Sequence, residues 1–198
     1  MTTRPAKFDD VRRIAEIHKS QFGTHLLGKY SVELLTSFYS EFVDRAAFLV
    51  HVSKNEIDGF VLGGDSSQLN LCKNEFVRDH FVRCVWETSC RPQVWYAGVR
   101  GGAQRMWDYH KNKRAQKNSI TSLKIRLLSI AVDKRAMGKG VAVELIMGFE
   151  RLVCGITSKY GLSVKKDNTR AVKFYQKLGF EVESTEGESI NFKKIILV

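Results

Sequence analysis

The residues Met137-Gly138-Lys139-Gly140-Val141-Ala142 place two positions without side chains where a strand pattern passes into an apolar helical one. Glycine lets a ligand approach the main chain, and its freedom of φ lets successive N–H groups converge on one point. Together with the first turn of a helix, such a loop can hold a pyrophosphate, and the helix dipole favours the negative charge there. Lys139 and Arg135 would add charge at the rim. A Walker loop is excluded because its spacing and its Lys-Ser/Thr pair are missing. A dinucleotide fingerprint would need glycine at Val143. Taken alone, the segment reads equally as a plain strand-to-helix turn.

A second motif lies one helix and one strand downstream: Asn168-Thr169-Arg170-Ala171-Val172-Lys173-Phe174-Tyr175-Gln176-Lys177-Leu178-Gly179-Phe180. In this order the two motifs resemble those of the GNAT acetyltransferase superfamily. That family pairs a strand–Q/R-x-x-G-x-G/A–helix loop with an N-x-x-A-x-x-F-Y-x-x-x-G-F helix. The similar stretch runs from Leu123 to about Glu183, and the helices and hairpin before it follow the family's order. Met137 departs from the pattern, which has Gln or Arg at that position.

The resemblance implies acetyl-CoA as cosubstrate, with no metal or prosthetic group. Its pyrophosphate would be held by the amides around Met137, Gly138, Lys139, Gly140, Val141 and Ala142. Its pantetheine arm would pair with the strand at Ile130, Ala131 and Val132, one of whose amides would polarise the thioester carbonyl. Asn168 matches a residue that touches the coenzyme arm, and it also suits a helix N-cap. Tyr175 matches the tyrosine that protonates the leaving thiolate, and its plain reading is a packed aromatic. An amine acceptor must lose a proton before it attacks, yet Leu123 to Val132 holds no carboxylate. Ser129 could order a water there. His25, Glu33 and Asp65 are the candidate bases, with His25 favoured because the loop between the first two helices helps form the acceptor site in this family.

These residues need elements to position them. Asp9 is expected to cap a first helix with Ile14, Ile17 and His18 on one face, followed by a loop from Phe22 to Tyr30. Ser31 caps a second helix carrying Leu34, Leu35, Phe38, Tyr39 and Phe42. Ala47 to Ser53 and Gly59 to Gly63 read as a hairpin around a turn at Lys54 to Asp58. Residues from about Ser66 to Ser122 are less regular and read as an insertion, with helical spacing at Phe76, Val77, His80, Phe81, Cys84 and Val85. Leu123 to Val132 reads as a strand and Asp133 to Gly140 as a turn. A helix from Val141 to Ile156 follows, striped by Val141, Leu145, Phe149, Leu152, Val153 and Ile156. Gly161 to Lys165 is a short strand, and Asn168 to Leu178 a helix stopped by Gly179. Phe180 to Glu183 and Ile190 to Leu197 are the last strands. The alternation gives an α/β class. With the resemblance it implies one domain over residues 1–198. Its central sheet would be mixed and mostly antiparallel, flanked by helices, with an insertion at roughly 66–122 before the central strand.

The chain has 198 residues, 43 % apolar, and a formal charge of +11. No stretch approaches the ~20 apolar residues of a membrane span, and the polar start from Met1 to Asp10 is not a secretory signal, so a cytoplasmic protein is expected. Cys72, Cys84, Cys90 and Cys154 form no Cys-x-x-Cys pair and read as reduced thiols, Cys154 as a packed one. The positive charge suits polyanions or phosphorylated small molecules. The run Leu127 to Val132, the insertion and the ending Ser189 to Lys194 are similar to those of bacterial acetyltransferases of surface-polysaccharide synthesis. That similarity points to a small primary amine, such as an amino sugar on a nucleotide, whose diphosphate the basic stretch from Arg100 to Arg126 could meet. A protein N-terminus or lysine is the alternative acceptor. A basic nucleic-acid module is the alternative of another class, but no nucleic-acid motif is present and no such partner is expected. The resemblance allows a monomer or a homodimer.

Overall fold

The structure is a computed structural model that describes residues 2–23, 27–89 and 123–196. Its centre is a seven-stranded sheet: β1 (Thr2–Pro5), β2 (Ala47–Ser53), β3 (Glu56–Asp65), β4 (Ile125–Val132), β5 (Lys159–Lys165), β6 (Glu181–Glu186) and β7 (Ser189–Ile195). The order is β1-β2-β3-β4-β5-β7-β6. Every neighbouring pair is antiparallel except β4 and β5, which run parallel. The mixed, mostly antiparallel sheet expected from the sequence is therefore present. The β2–β3 hairpin is fixed by a two-residue turn, with Lys54 and Asn55 both at positive φ. That geometry matches the twist of the strands it joins.

Helices cover both faces: α1 (Val11–Gln21), α2 (Val32–Ser40), α3 (Ser66–Ser89), α4 (Val141–Val153) and α5 (Thr169–Lys177). Successive residues of β3 serve opposite faces. Phe60 and Leu62 join a core with Ile14, Leu34, Phe38 and Tyr39, whereas Val61 joins one with Leu145, Phe149, Tyr160 and Phe192. The first core seats α1, α2 and α3, and the second seats α4 and α5. The strand period of two thus builds two apolar layers from one sheet.

Several local expectations are corrected. β1 was not foreseen; it is short and polar, and its pairing with β2 alone makes it a strand. Asp9 does not cap α1, which begins at Val11 after a 3₁₀ turn over Phe8–Asp10. Asp10 does the anchoring instead: its carboxylate accepts the Lys7 amide at 2.8 Å and grips Arg4 at 2.6 and 2.9 Å. Ser31 caps α2 as expected, accepting from the Leu34 amide at 3.1 Å. The helical spacing at Phe76 to Val85 falls in one long helix, α3, kinked at His80, which starts earlier than expected, directly after β3 at Ser66. Within α4 the buried stripe runs through Leu145, Phe149 and Val153 and leaves Leu152 exposed; the helix stops at Val153, so Ile156 lies beyond it and exposed, and Cys154 is exposed rather than packed. Cys90 and most of the basic stretch lie outside the described residues.

The start of α4 is set by backbone conformation. Gly140 is its N-cap with φ 82°, and Gly138 sits at φ 78°. L-residues with a Cβ strain at such angles by roughly 1–2 kcal/mol. Gly140→Ala is therefore expected to lower the unfolding free energy by about 1–2 kcal/mol in urea titration. Gly155→Ala, at ordinary φ in open space, should change it by no more than roughly 0.5–1 kcal/mol in either direction.

The Arg4–Asp10 contact gives a pH prediction. The hydrogen bond from Arg4 chiefly holds the Asp10 carboxyl below its usual range, against the opposing effect of burial. A carboxyl lowered by folding contributes stability that is complete above its unfolded pKa and lost as pH falls through the folded one. Asp10→Asn should flatten the acid limb of the stability–pH curve and change its shape little above about pH 5.

Candidate active site

The parallel junction in the sheet is nearly empty. β4 and β5 share one register pair, Arg126 opposite Gly161, and beyond it Leu127–Val132 and Leu162–Lys165 have no ladder between them. Their outer edges are occupied, β4 by β3 and β5 by β7. The strands therefore part toward their C-terminal ends, so β4, paired with β3 along Ile130, Ala131 and Val132, has no strand on its other edge there, and every second residue turns its backbone groups to the gap. Backbone groups in the middle of a sheet are seldom left so. An extended ligand lying in the gap would complete them.

β4 also carries a bulge. Gly63 faces Leu127 while Leu62 faces Ser129, so Leu128 is the extra residue. The side chains change sides across it. Leu127 enters the core under α4, whereas Ala131 enters the core under α1 and α2, and Ser129 turns the same way to meet Tyr39.

At the end of β4 the glycine loop is tied down by Asp133. Its amide donates to the Asp58 carbonyl at 2.7 Å, and its carboxylate accepts the Arg135 amide at 2.9 Å and pairs with Arg135 and Arg13. Burial pushes this carboxyl up, but the Arg135 amide and the two guanidinium groups outweigh it and hold it below the usual range. Arg135 is thus engaged with Asp133 and, at 3.0 Å, with Glu56, rather than free as a rim charge. His51, wholly buried in β2, stands 3.2 Å from Glu144 in the first turn of α4 and 3.5 Å from Asp58. It fastens the helix start to the sheet.

Within the loop, a Cβ placed on Gly138 or Gly140 would meet no atom within 4 Å. The amides of Gly138, Gly140, Val141 and Ala142 donate to no atom among the described residues. The amides of Val143 and Glu144 turn back to the Gly140 carbonyl, and that of Lys139 to Ala136 at 3.4 Å. Four donors without an acceptor among the described residues stand at the positive end of a 13-residue helix, a ready receptor for an anion. Met137 carries no polar group, but the Arg170 guanidinium lies 3.6 Å from its sulfur. A cation from α5 thus borders the loop where Gln or Arg was missed.

α5 begins at Asn168, whose side chain accepts the Ala171 amide at 3.1 Å, as its capping role requires. Two turns on, Tyr175 is buried against Phe174, Phe180 and Phe192. Its hydroxyl makes no hydrogen bond among the described residues, and burial pushes the phenol up to about 12. It is a retained proton whose donor is not already used.

Of the expected bases, His25 lies outside the described residues. Glu33 is exposed on α2, and Asp65 spends its carboxylate on the amides of Ser67 and Gln68 at the start of α3. Ser129 does have a partner: its Oγ is 3.4 Å from the Tyr39 hydroxyl, which is 2.6 Å from His18 Nδ1. His18 and Tyr39 were read from the sequence only as face positions of the first two helices. A polar ring on each of two apolar stripes was the available signal.

Residues 72–195 match the family model of the acetyltransferase (GNAT) domain. No curated protein sequence matches the chain. Among solved structures, an N-acetyltransferase from Staphylococcus aureus Mu50 is similar at a TM-score of 0.60 and 16 % identity, covering 98 % of this chain and 100 % of the other. The paia N-acetyltransferase of Thermoplasma acidophilum, in complex with coenzyme A, gives a TM-score of 0.56 and 16 % identity over 98 % of both chains. The ribosomal-protein-S18-alanine N-acetyltransferase of Escherichia coli gives 0.58 and 13 % identity, covering 100 % of this chain and 94 % of that one. With more than half of its length matched by that model, and the parted strands and glycine loop in place, the chain belongs to the GNAT acetyltransferase family.

Proposed function

We propose that this protein is an N-acetyltransferase that moves the acetyl group of acetyl-CoA directly to a primary amine of a small molecule. The carrying observation is the set of four unengaged amides, at Gly138, Gly140, Val141 and Ala142, at the end of the gap between β4 and β5. The diphosphate of coenzyme A would take those donors, with Lys139 and Arg170 as the nearby cations. The pantetheine arm would run up the gap against Ile130, Ala131 and Val132, with the Asn168 amide group beside it. The thioester would then lie between the two strands, with a β4 amide polarising its carbonyl.

The amine nitrogen attacks the carbonyl carbon, the C–S bond breaks, and the sulfur takes a proton from Tyr175. A phenol raised to about 12 by burial stays protonated through neutral pH and gives its proton only to a developing thiolate. Among acceptors we favour an amino sugar carried on a nucleotide, whose phosphates would meet cations. Two observations support an anionic acceptor. Arg126 lies at the fork of the gap, bonded to Ser163 at 2.8 Å, and Lys73 stands near enough to feel its charge, so two basic side chains gather there. We further take residues 1–198 as one domain acting in the cytoplasm.

Two measurements test the reading. Acetyl-CoA at a hundredfold excess over its Kd should stabilise the protein by about 2.7 kcal/mol, seen as a rise in Tm. No rise would favour a binding module for another polyanion. Tyr175→Phe should lower kcat by roughly a hundredfold in thiol-release assays across a panel of amino sugars, polyamines and peptides, with acetyl-CoA affinity unchanged. Unchanged kcat would remove Tyr175 as the acid, and turnover confined to peptides would move the acceptor to protein.

A further inference from the structure

We propose that Ser129, Tyr39 and His18 form a proton path that takes the proton from the acceptor's ammonium group, with Ser129 meeting the amine and the two rings positioning and polarising it. The inference rests on the reading of the site as an acetyltransferase acting on an amine.

The geometry sets the direction of the path. Tyr39 has one hydroxyl proton and two neighbours, His18 Nδ1 at 2.6 Å and Ser129 Oγ at 3.4 Å. A separation of 2.6 Å lies in the range for an O–H donor and is shorter than is usual for N–H···O. In the proposed path Tyr39 donates to His18, which then carries its ring proton on Nε2. Tyr39 can then only accept from Ser129, and the Ser129 lone pairs are left as acceptors. Ser129 precedes Ile130 on the stretch of β4 that has parted from β5 and is only partly buried, which leaves its hydroxyl within reach of a group at the gap.

The path is held rigidly and kept from water. Tyr39 is wholly buried and His18 is 5 % exposed. Phe38, Phe48 and Phe60 pack around the Tyr39 ring, and His18 lies edge-on to it at 5.6 Å. Burial raises the Tyr39 phenol above its ordinary range, so it hands a proton on in exchange for another rather than ionising. Charged groups on α1 are engaged elsewhere. Lys19 bonds the Tyr30 carbonyl at 2.7 Å, and Glu16 pairs with Arg12 and Arg13. From α2 and β4 the groups that face the imidazole are Tyr39 and, through it, Ser129, and β4 carries no carboxylate.

In the step itself an N–H bond of the ammonium breaks and its proton joins Ser129 Oγ. The Ser129 proton passes to Tyr39 and the Tyr39 proton to His18 Nδ1, which holds it as imidazolium until the same path returns it through Ser129 to water in the emptied site. The freed lone pair forms the C–N bond as the C–S bond breaks and the sulfur takes the Tyr175 proton. The second amine proton restores that phenol through water.

The test compares glucosamine, an ammonium at neutral pH, with aniline, which is already neutral there. Tyr39→Phe keeps the ring contacts and removes only the hydroxyl, and Ser129→Ala is the second variant. With glucosamine, kcat/KM at pH 7 should fall by about a hundredfold in both, and the rise of rate with pH should move upward toward the amine's own pKa. With aniline the loss should stay within roughly tenfold, and acetyl-CoA affinity by calorimetry should not change. Equal losses for both amines, or an unmoved pH profile, would overturn the path. A readout free of turnover is the tautomer of His18 by ¹⁵N NMR, its signals assigned by their loss in His18→Gln. A proton on Nε2 supports the path, and a proton on Nδ1 contradicts it. Should the wild-type protein release no thiol with either amine, that failure belongs to the acetyltransferase reading, and the tautomer decides the path by itself.

Discussion

The parting of β4 from β5 is the constraint from which the rest of the molecule follows. A sheet closes by pairing backbone groups, and leaving a row of them open in the middle of seven strands is tolerable only where something else holds the halves together. Here that work falls to the apolar layers. The core beneath α4 and α5 draws on β2, β3 and β4 on one side of the gap and on β5 and β7 on the other. Leu49, Val61 and Leu127 pack in the same cluster as Tyr160, Leu162 and Phe192. The fork can stay open because side chains, not main-chain bonds, span it.

Around that opening, charges are fixed or left unused in a consistent pattern. The carboxylate of Asp133 gathers Arg13 and Arg135 and pins both α1 and the short 3₁₀ turn before the loop. Glu144 meets His51 and secures the first turn of α4. The loop between these anchors keeps four donors without acceptors among the described residues. Preorganised donors cost nothing to align when a ligand arrives, which is the advantage of a backbone cradle over mobile lysines. It also explains how Met137 can replace a polar residue, since a main-chain grip does not depend on that side chain, and Arg170 restores a cation close by.

Legibility in the sequence followed the strength of local rules. Gly138 and Gly140 could be read because a strand-to-helix turn at positive φ leaves few alternatives to glycine, and Asn168 because capping is a local hydrogen bond. Tyr175 was visible as a motif position, though its burial among three aromatic rings depends on β7, far along the chain. β1 was illegible because four polar-flanked residues form a strand only when β2 offers an edge. The end of α4 was misplaced because Ile156 continues the helical period of Leu152 and Val153 after the backbone has turned away. His18, Tyr39 and Ser129 come from three separate elements, and a bulge at Leu128 brings the third into line. No spacing rule encodes a bulge between strands 60 residues apart in the chain, so only the folded register shows this contact.

The central claim is that main-chain donors of the glycine loop hold the diphosphate of the acyl carrier. Amide NMR of the ¹⁵N-labelled protein, titrated with coenzyme A and separately with pantetheine, tests it most directly. Coenzyme A should shift the amides of Gly138, Gly140, Val141 and Ala142 strongly and saturably, whereas pantetheine, which lacks the diphosphate, should leave them almost still. Saturable binding of coenzyme A with those four amides unmoved would contradict the account.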